Sequence, residues 1–329
     1  MPQPLIDTFG RIHNNLRISV TDRCNLRCVY CMPEEVVFQD KSEMLTFEEI
    51  TRFVEMVVPL GIDKLRLTGG EPLLRHDLPK LVAMLAAVKG IKDLALTTNG
   101  LTLAKEAKRL HDAGLRRITV SLDTLDPDRF RQLSRRDGLD HVLQGIDAAL
   151  HVGFERIKVN AVSIRGMTEL DVVPLARFAR RLGLELRFIE YMPIGDDHWE
   201  RGKVLFAHEI LDLLEREVSP LAPAPDYDPR SPAMEFTYLD GTGRVGIIAS
   251  VSRPFCQSCN RVRLTADGKL RNCLFALEET DIKGLLRQGA SVEAIQQAVR
   301  QSVHEKWEGH EINTARFIKP LRTMHSIGG

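Results

Sequence analysis

Six times between residues 14 and 189, a short segment of alternating apolar and polar residues is followed by a stretch of helical length. That repetition leaves a chain few folds to choose from. The strand segments are 14–21, 64–68, 93–97, 117–122, 156–163 and 185–189. Helical stretches follow at about 47–60, 78–88 and 104–113, in a region ending near His151, and at about 170–182. The first helix opens on Thr46-Phe47-Glu48-Glu49, where Thr46 and Glu49 have the spacing of a capping box, and Gly61 supplies its stop. Consecutive strand–helix units imply a parallel sheet, either open and doubly wound or curled into a barrel.

The two faces of these strands discriminate between the options. One face is Ile, Val and Leu, as a helix-covered face requires. The other carries Arg17, Ser19 and Thr21, then Lys64, Arg66 and Thr68, then Thr97 and Asn99, then Thr119, Ser121 and Asp123, then Lys158 and Asn160. A closed barrel fills its lumen with bulky apolar side chains. The polar set therefore favours an α/β fold of the incomplete (β/α)6 TIM-like type, with a ligand cavity as its lumen. Polar strand ends that simply meet solvent would explain the residues nearest each C-terminus. Those ends, however, are also where parallel β/α folds bind ligands. In the sixth strand the alternation breaks near Glu190, so its inward set stays open, with Arg187 a candidate for the cavity.

Beyond residue 189 the pattern changes. Residues 207–217 read as an amphipathic helix, and 219–233, with five prolines, as an exposed connection. Segments 234–239 and 244–250, joined by Asp240-Gly241-Thr242-Gly243, favour a hairpin. Two helices near 282–287 and 292–307 follow. The expected division is a partial barrel over 1–218 and a C-terminal cluster-binding and substrate-binding region over 219–329.

The six cysteines fall into two groups, Cys24, Cys28 and Cys31 just past the first strand, and Cys256, Cys259 and Cys273. A formal net charge of zero argues against a general nucleic-acid binder while leaving room for a local basic pocket. No apolar run is long enough to span a membrane and the N-terminus has no signal core, so a cytoplasmic protein is expected. In that compartment cysteines point to metal or catalysis before disulfides. Thiolates suit zinc and iron–sulfur clusters alike. Zinc on the first group needs a fourth ligand from elsewhere, with His13 as a candidate. A [4Fe–4S] cluster on three thiolates leaves one iron open to a chelating ligand. By spacing alone, the second group also fits three quarters of a zinc ribbon, although no neighbouring His or Cys completes it.

Cys24, Cys28 and Cys31, with Tyr30 ahead of the last, resemble the cluster motif of the radical S-adenosylmethionine (SAM) superfamily. Gly69-Gly70-Glu71-Pro72 resembles its glycine-rich segment. Adding Thr97-Thr98-Asn99-Gly100, Ser121-Leu122-Asp123, Glu190-Tyr191-Met192-Pro193, Asn260-Arg261-Val262-Arg263 and the Gly328-Gly329 end, the chain is similar over almost its whole length to the GTP 3′,8-cyclase branch. The resemblance implies two [4Fe–4S] clusters, one on each cysteine group. It implies SAM contacts from Tyr30, Gly70, Ser121 and Met192. It implies GTP contacts from Arg17, Arg66, Thr97, Lys158, Arg261, Val262 and Arg263, with Arg17, Arg261 and Arg263 at the reacting centre, and a tail that reaches the site.

The implied reaction cleaves SAM to methionine and a 5′-deoxyadenosyl radical, which takes hydrogen from C3′ of GTP. Closure onto C8 gives (8S)-3′,8-cyclo-7,8-dihydroguanosine 5′-triphosphate, an early step of molybdenum cofactor biosynthesis. A low-potential electron donor, a homodimer and delivery to cyclic pyranopterin monophosphate synthase are implied with it. The residues agree in kind: a triphosphate needs several cations, and Arg17, Arg66 and Lys158 share the polar face on three strands. Two other readings stay open, a radical SAM peptide-modifying enzyme and a zinc-stapled binding module.

Overall fold

The computed structural model describes residues 4–195, 199–228 and 230–328. The six expected strands are present as β1 (Asn15–Ser19), β2 (Lys64–Thr68), β3 (Asp93–Thr98), β4 (Arg117–Ser121), β5 (Arg156–Ser163) and β6 (Glu185–Glu190). They lie side by side in chain order, every pair parallel. Their apolar face meets the crossover helices: Ile18, Leu67, Leu96, Val120 and Val159 are wholly buried, as are Phe53, Leu81, Leu110 and Val142 opposite. Each such side chain stabilises the fold by about 1.5–3 kcal/mol. The capping box forms in both directions, Glu49 N–H to Thr46 Oγ1 and Thr46 N–H to the Glu49 carboxylate.

The remaining strands are β7 (Leu221–Pro223), β8 (Met234–Tyr238), β9 (Arg244–Ile248), β10 (Arg261–Leu264), β11 (Lys269–Arg271) and β12 (Thr280–Asp281). They extend the same sheet at both edges. β9 pairs parallel with β6 and carries β8 and β7 antiparallel; β10 pairs parallel with β1 and carries β11 and β12 antiparallel. The sheet stays open, running from β12 to β7. The expected hairpin is β8–β9. Residues 219–233 are not wholly an exposed connection, because they supply β7. Pro223 is tolerated there because an edge strand has a ladder partner on one side only.

The broken alternation at Glu190 has a structural cause. Its carboxylate, fully buried, accepts N–H bonds from Ala207 (2.9 Å), Val251 (2.8 Å) and Ser252 (2.7 Å) and the Ser252 hydroxyl. It thereby ties the end of β6 to the start of the Ala207–Glu217 helix and to the turn after β9. Among the described residues no helix is long and apolar enough to cross a membrane.

Candidate active site

The polar strand face and both cysteine groups line one cavity of about 630 Å³. Register explains how residues far apart in sequence meet there. Arg263 of β10 stands beside Arg17 of β1, and Arg17 beside Arg66 of β2. Neighbouring strands are about 4.8 Å apart, so three guanidinium groups form a row on one wall. Arg261 lies one inward position earlier on β10 and faces the same cavity.

Like charges this close repel. Burial, and then the charges of Arg263, Arg261 and Arg66, hold Arg17 well below the usual guanidinium range. Burial and Arg261 lower Arg263 to about 9; burial, Arg117 and Arg187 lower Arg66 to about 10. The opposite wall is different. Lys158 sits 2.6 Å from Glu185, Arg187 2.5 Å from Glu235 and Arg244 2.9 Å from Asp226, and Arg117 pairs with Asp93. Among the described residues no carboxylate pairs with Arg17, Arg66, Arg261 or Arg263. Arg66 is held instead by the hydroxyls of Thr97 and Thr119, each 3.1 Å away. The buried Arg17 Nε has no partner at all. A cation set built this way is complementary to a polyanion.

The first cysteine group lies beyond the C-terminal end of β1, on a loop pinned by Arg27 N–H to Ser134 O and Val29 N–H to Leu133 O, both 2.9 Å. The Gly69-Gly70 turn packs directly on that loop. A Cβ on Gly70 would stand 2.5 Å from the carbonyl oxygens of Asp22 and Arg23, so only glycine allows the approach. Tyr30 donates its hydroxyl proton to Asp123 (2.6 Å), whose other oxygen accepts Val162 N–H (2.8 Å). Burial pushes the Cys24 thiol up to about 11 and Cys31 up to about 12.

The second group contrasts with the first. Burial also opposes the Cys259 thiolate, but the Arg261 and Lys306 charges and bonds from Arg261 bring that thiol down to about 5. Arg261 Nη2 is 3.5 Å from its sulfur and Lys306 Nζ 3.4 Å. All six cysteines are free and partly buried. Among the described residues, no three His, Cys, Asp or Glu side chains converge closely enough to hold a single bare ion. Each triad is instead spread along the wall of a cavity with room for a larger group.

A family model described as Radical SAM superfamily matches residues 18–179, and one described as Molybdenum Cofactor Synthesis C matches residues 184–312. A GTP 3′,8-cyclase of Rhodopirellula baltica is 48% identical over 333 residues, covering 100% of this chain and 93% of that protein. The chain belongs to the GTP 3′,8-cyclase family. Namesakes from Acidothermus cellulolyticus and Thermodesulfovibrio yellowstonii are 49% and 43% identical, covering 93% and 98% of this chain and 86% and 99% of those proteins. Streptococcus suis SuiB bound to S-adenosylmethionine shares the fold, with a TM-score of 0.59 at 14% identity over 91% of this chain and 65% of that one.

The clusters and SAM of this family fit the residues present. Three free thiols per site supply soft donors with one coordination position to spare on a four-iron cluster. Tyr30, Gly70, Ser121 and Met192 all line the cavity on the side of the first triad or along its wall, and Arg17, Arg66, Thr97, Lys158, Arg261 and Arg263 line it too. Val262 does not. Its side chain is buried in the core on the opposite face of β10, because alternation puts it out of phase with Arg261 and Arg263. His13 is no ligand of the first group; it lies behind the second, with both ring nitrogens engaged. The tail reaches the cavity wall, where Gly328 O accepts from Arg263 Nη1 (2.6 Å). Gly328 has φ +83°, and a Cβ there would stand 2.5 Å from Thr68 Oγ1. Gly329 lies outside the described residues. Sequence reasoning passed over Glu185 and Glu235, whose positions on β6 and β8 beside cavity cations are evident only from the register, and over Lys306.

Proposed function

We propose that this chain converts GTP and SAM to (8S)-3′,8-cyclo-7,8-dihydroguanosine 5′-triphosphate, an early step of molybdenum cofactor biosynthesis. The observation that carries the reading is the set of carboxylate-free guanidinium groups of the half-buried Arg17, Arg66 and Arg261 and the buried Arg263 in a cavity walled at both ends by thiol triads. Cys24, Cys28 and Cys31 would hold the cluster that binds SAM; Cys256, Cys259 and Cys273 would hold the second, beside GTP. When bound, the reduced first cluster and SAM supply the 5′-deoxyadenosyl radical that removes hydrogen from the ribose.

The chain's own residues do the rest. The arginine row binds and orients the triphosphate through forked donors. Thr97 and Thr119 fix the Arg66 fork. The Tyr30–Asp123 bond secures the loop of the first triad against the end of β4. Enclosure by the sheet keeps water and stray hydrogen donors from the reacting carbon. Residues 1–218 would carry SAM and residues 219–329 the second cluster with part of the GTP site. Reduction by a low-potential donor, a homodimeric assembly, a cytoplasmic location and transfer of product to cyclic pyranopterin monophosphate synthase complete the proposal.

The test is anaerobic turnover of the reconstituted protein with SAM, a strong reductant and GTP. The expected outcome is 5′-deoxyadenosine formed in proportion to a cyclised GTP product. Formation of 5′-deoxyadenosine no faster than in the absence of GTP would overturn the assignment.

A further inference from the structure

Behind the second cysteine group lies a buried charged bracket outside the GTP and SAM walls. Lys306 is 4% exposed, His13 0%, Asp7 5% and Arg11 7%. Arg11 clamps the bracket to the cluster loop. It donates to Cys256 O (2.8 Å), Glu308 O (2.7 Å) and Trp307 O (2.7 Å), with its Nε 2.5 Å from Asp7. His13 Nδ1 faces Arg11 O at 2.9 Å, so Nδ1 carries the proton and Nε2 is left to accept. Lys306 Nζ meets that Nε2 at 3.0 Å, Arg261 O at 2.8 Å and Cys259 Sγ at 3.4 Å. Its three N–H donors are thus accounted for, two by neutral acceptors and the third by the cysteine. Among the described residues no carboxylate pairs with Lys306, since Asp7 is taken by Arg11. A buried ammonium without an anion is costly, and the negative partner on offer is the thiolate of Cys259.

We propose that Lys306, behind the cavity wall that carries Arg261, is a second charge partner of Cys259 in the second cluster site, a positioning residue that favours uptake of that cluster and raises its reduction potential. A cation bonded to a ligating sulfur stabilises the more negative, reduced state. Among the described residues no cation is hydrogen-bonded to a sulfur of the first group: Cys24 Sγ meets Leu26 N–H at 3.4 Å and the neutral Asn99 amide at 3.8 Å, and the nearby Arg27 is spent on Cys24 O at 2.7 Å. The two clusters are therefore built to differ in potential, the second being the easier to reduce. The proposal rests on Cys256, Cys259 and Cys273 being cluster ligands, and its test separates the two claims.

The full chain carrying C24A, C28A and C31A is reconstituted anaerobically with iron and sulfide, so that only the second cluster titrates. Its midpoint potential is read by electron paramagnetic resonance, with iron and sulfide counted. Against that background, K306M and K306Q are expected to lower the potential by roughly tenfold in the reduction equilibrium, about 59 mV for one electron. K306Q keeps a donor without the charge and guards against a misfolded K306M. Loss of the second cluster alone, in a variant with unchanged circular dichroism, also supports the proposal. Wild-type potential and iron content in either variant overturn the role of Lys306. Absence of any cluster in the background protein itself overturns the ligand assignment instead.

Discussion

Glu185 stands between two cations, 2.6 Å from Lys158 Nζ and 2.5 Å from Arg156 Nε, so the charge of Lys158 is already answered before a nucleotide arrives. Burial and repulsion from Arg187 outweigh Glu185 and lower Lys158 to about 8. A triphosphate binds the ammonium form, and above that pH binding must take up a proton. GTP affinity of the anaerobic holoprotein is therefore predicted to be full below pH 8 and to decline above it. K158A should weaken binding by about 1.5–3 kcal/mol, the range for a charged hydrogen bond, which is roughly tenfold to a hundredfold. With both clusters intact, it should also move the onset of the alkaline decline upward, toward the value of about 9 at which Arg263 loses its charge. The E185A/K158A double variant should bind better than K158A alone, because it no longer leaves a carboxylate facing the phosphates. Calorimetric titration between pH 7 and about 9.5 reads all three; a wild-type profile that stays flat, or a K158A affinity equal to wild type, rules out Lys158 as a phosphate contact. Arg17 is the opposite case, a half-buried cation whose Nε is sealed off without a partner, with three cationic neighbours and no resident carboxylate, and it is the residue on which binding should depend most.

Among the elements, the end of β6 depends on a single side chain for its junctions. Replacing Glu190 by Ala strips the acceptor from the buried N–H groups of Ala207 and Val251 and from that of Ser252. The expected loss is about 3 kcal/mol or more, from unsatisfied donors next to a lost charge. SAM affinity should fall too, since Met192 follows two residues later. A thermal melt of E190A indistinguishable from wild type would show that the clamp is dispensable. Elements of this kind differ in how far the sequence reveals them. β2 and β5 are legible to the residue because period-2 alternation over five to eight positions leaves one register only. The same rule puts Arg17, Arg66 and Lys158 in one cavity, and, applied to β10, removes Val262 from it. β10 itself was hidden: four residues carry too little pattern to announce a parallel partnership with a strand 246 positions away, Asn15 with Arg261. β7 was hidden by proline. The bracket of Asp7, Arg11 and His13 has no periodicity, and its partners near residue 306 exist only after folding.

For the whole molecule, the question is whether residues 1–218 and 219–329 are two folding units or two functional halves of one. The sheet favours the latter. Cutting after residue 218 would bare β1 where β10 now pairs and β6 where β9 pairs. It would also remove the wholly buried Leu264 and Ile247 from the shared core. Exposed parallel edges with apolar flanks are association sites rather than stable surfaces. Residues 1–218 alone are thus predicted to aggregate or to melt without cooperativity, and co-expression with 219–329 to restore a monodisperse species and hydrogen-exchange protection along β1. A cooperative melt of the isolated 1–218 fragment near that of the full chain would establish independent domains. The same pairing bears on function: Arg263 completes the row with Arg17 and Arg66 only when β10 is docked, and Asn260 is fastened to Asn14 at 2.8 Å where that docking begins. Co-expressed halves in which β10 docks again on β1 should therefore retain GTP, and residues 1–218 alone should not.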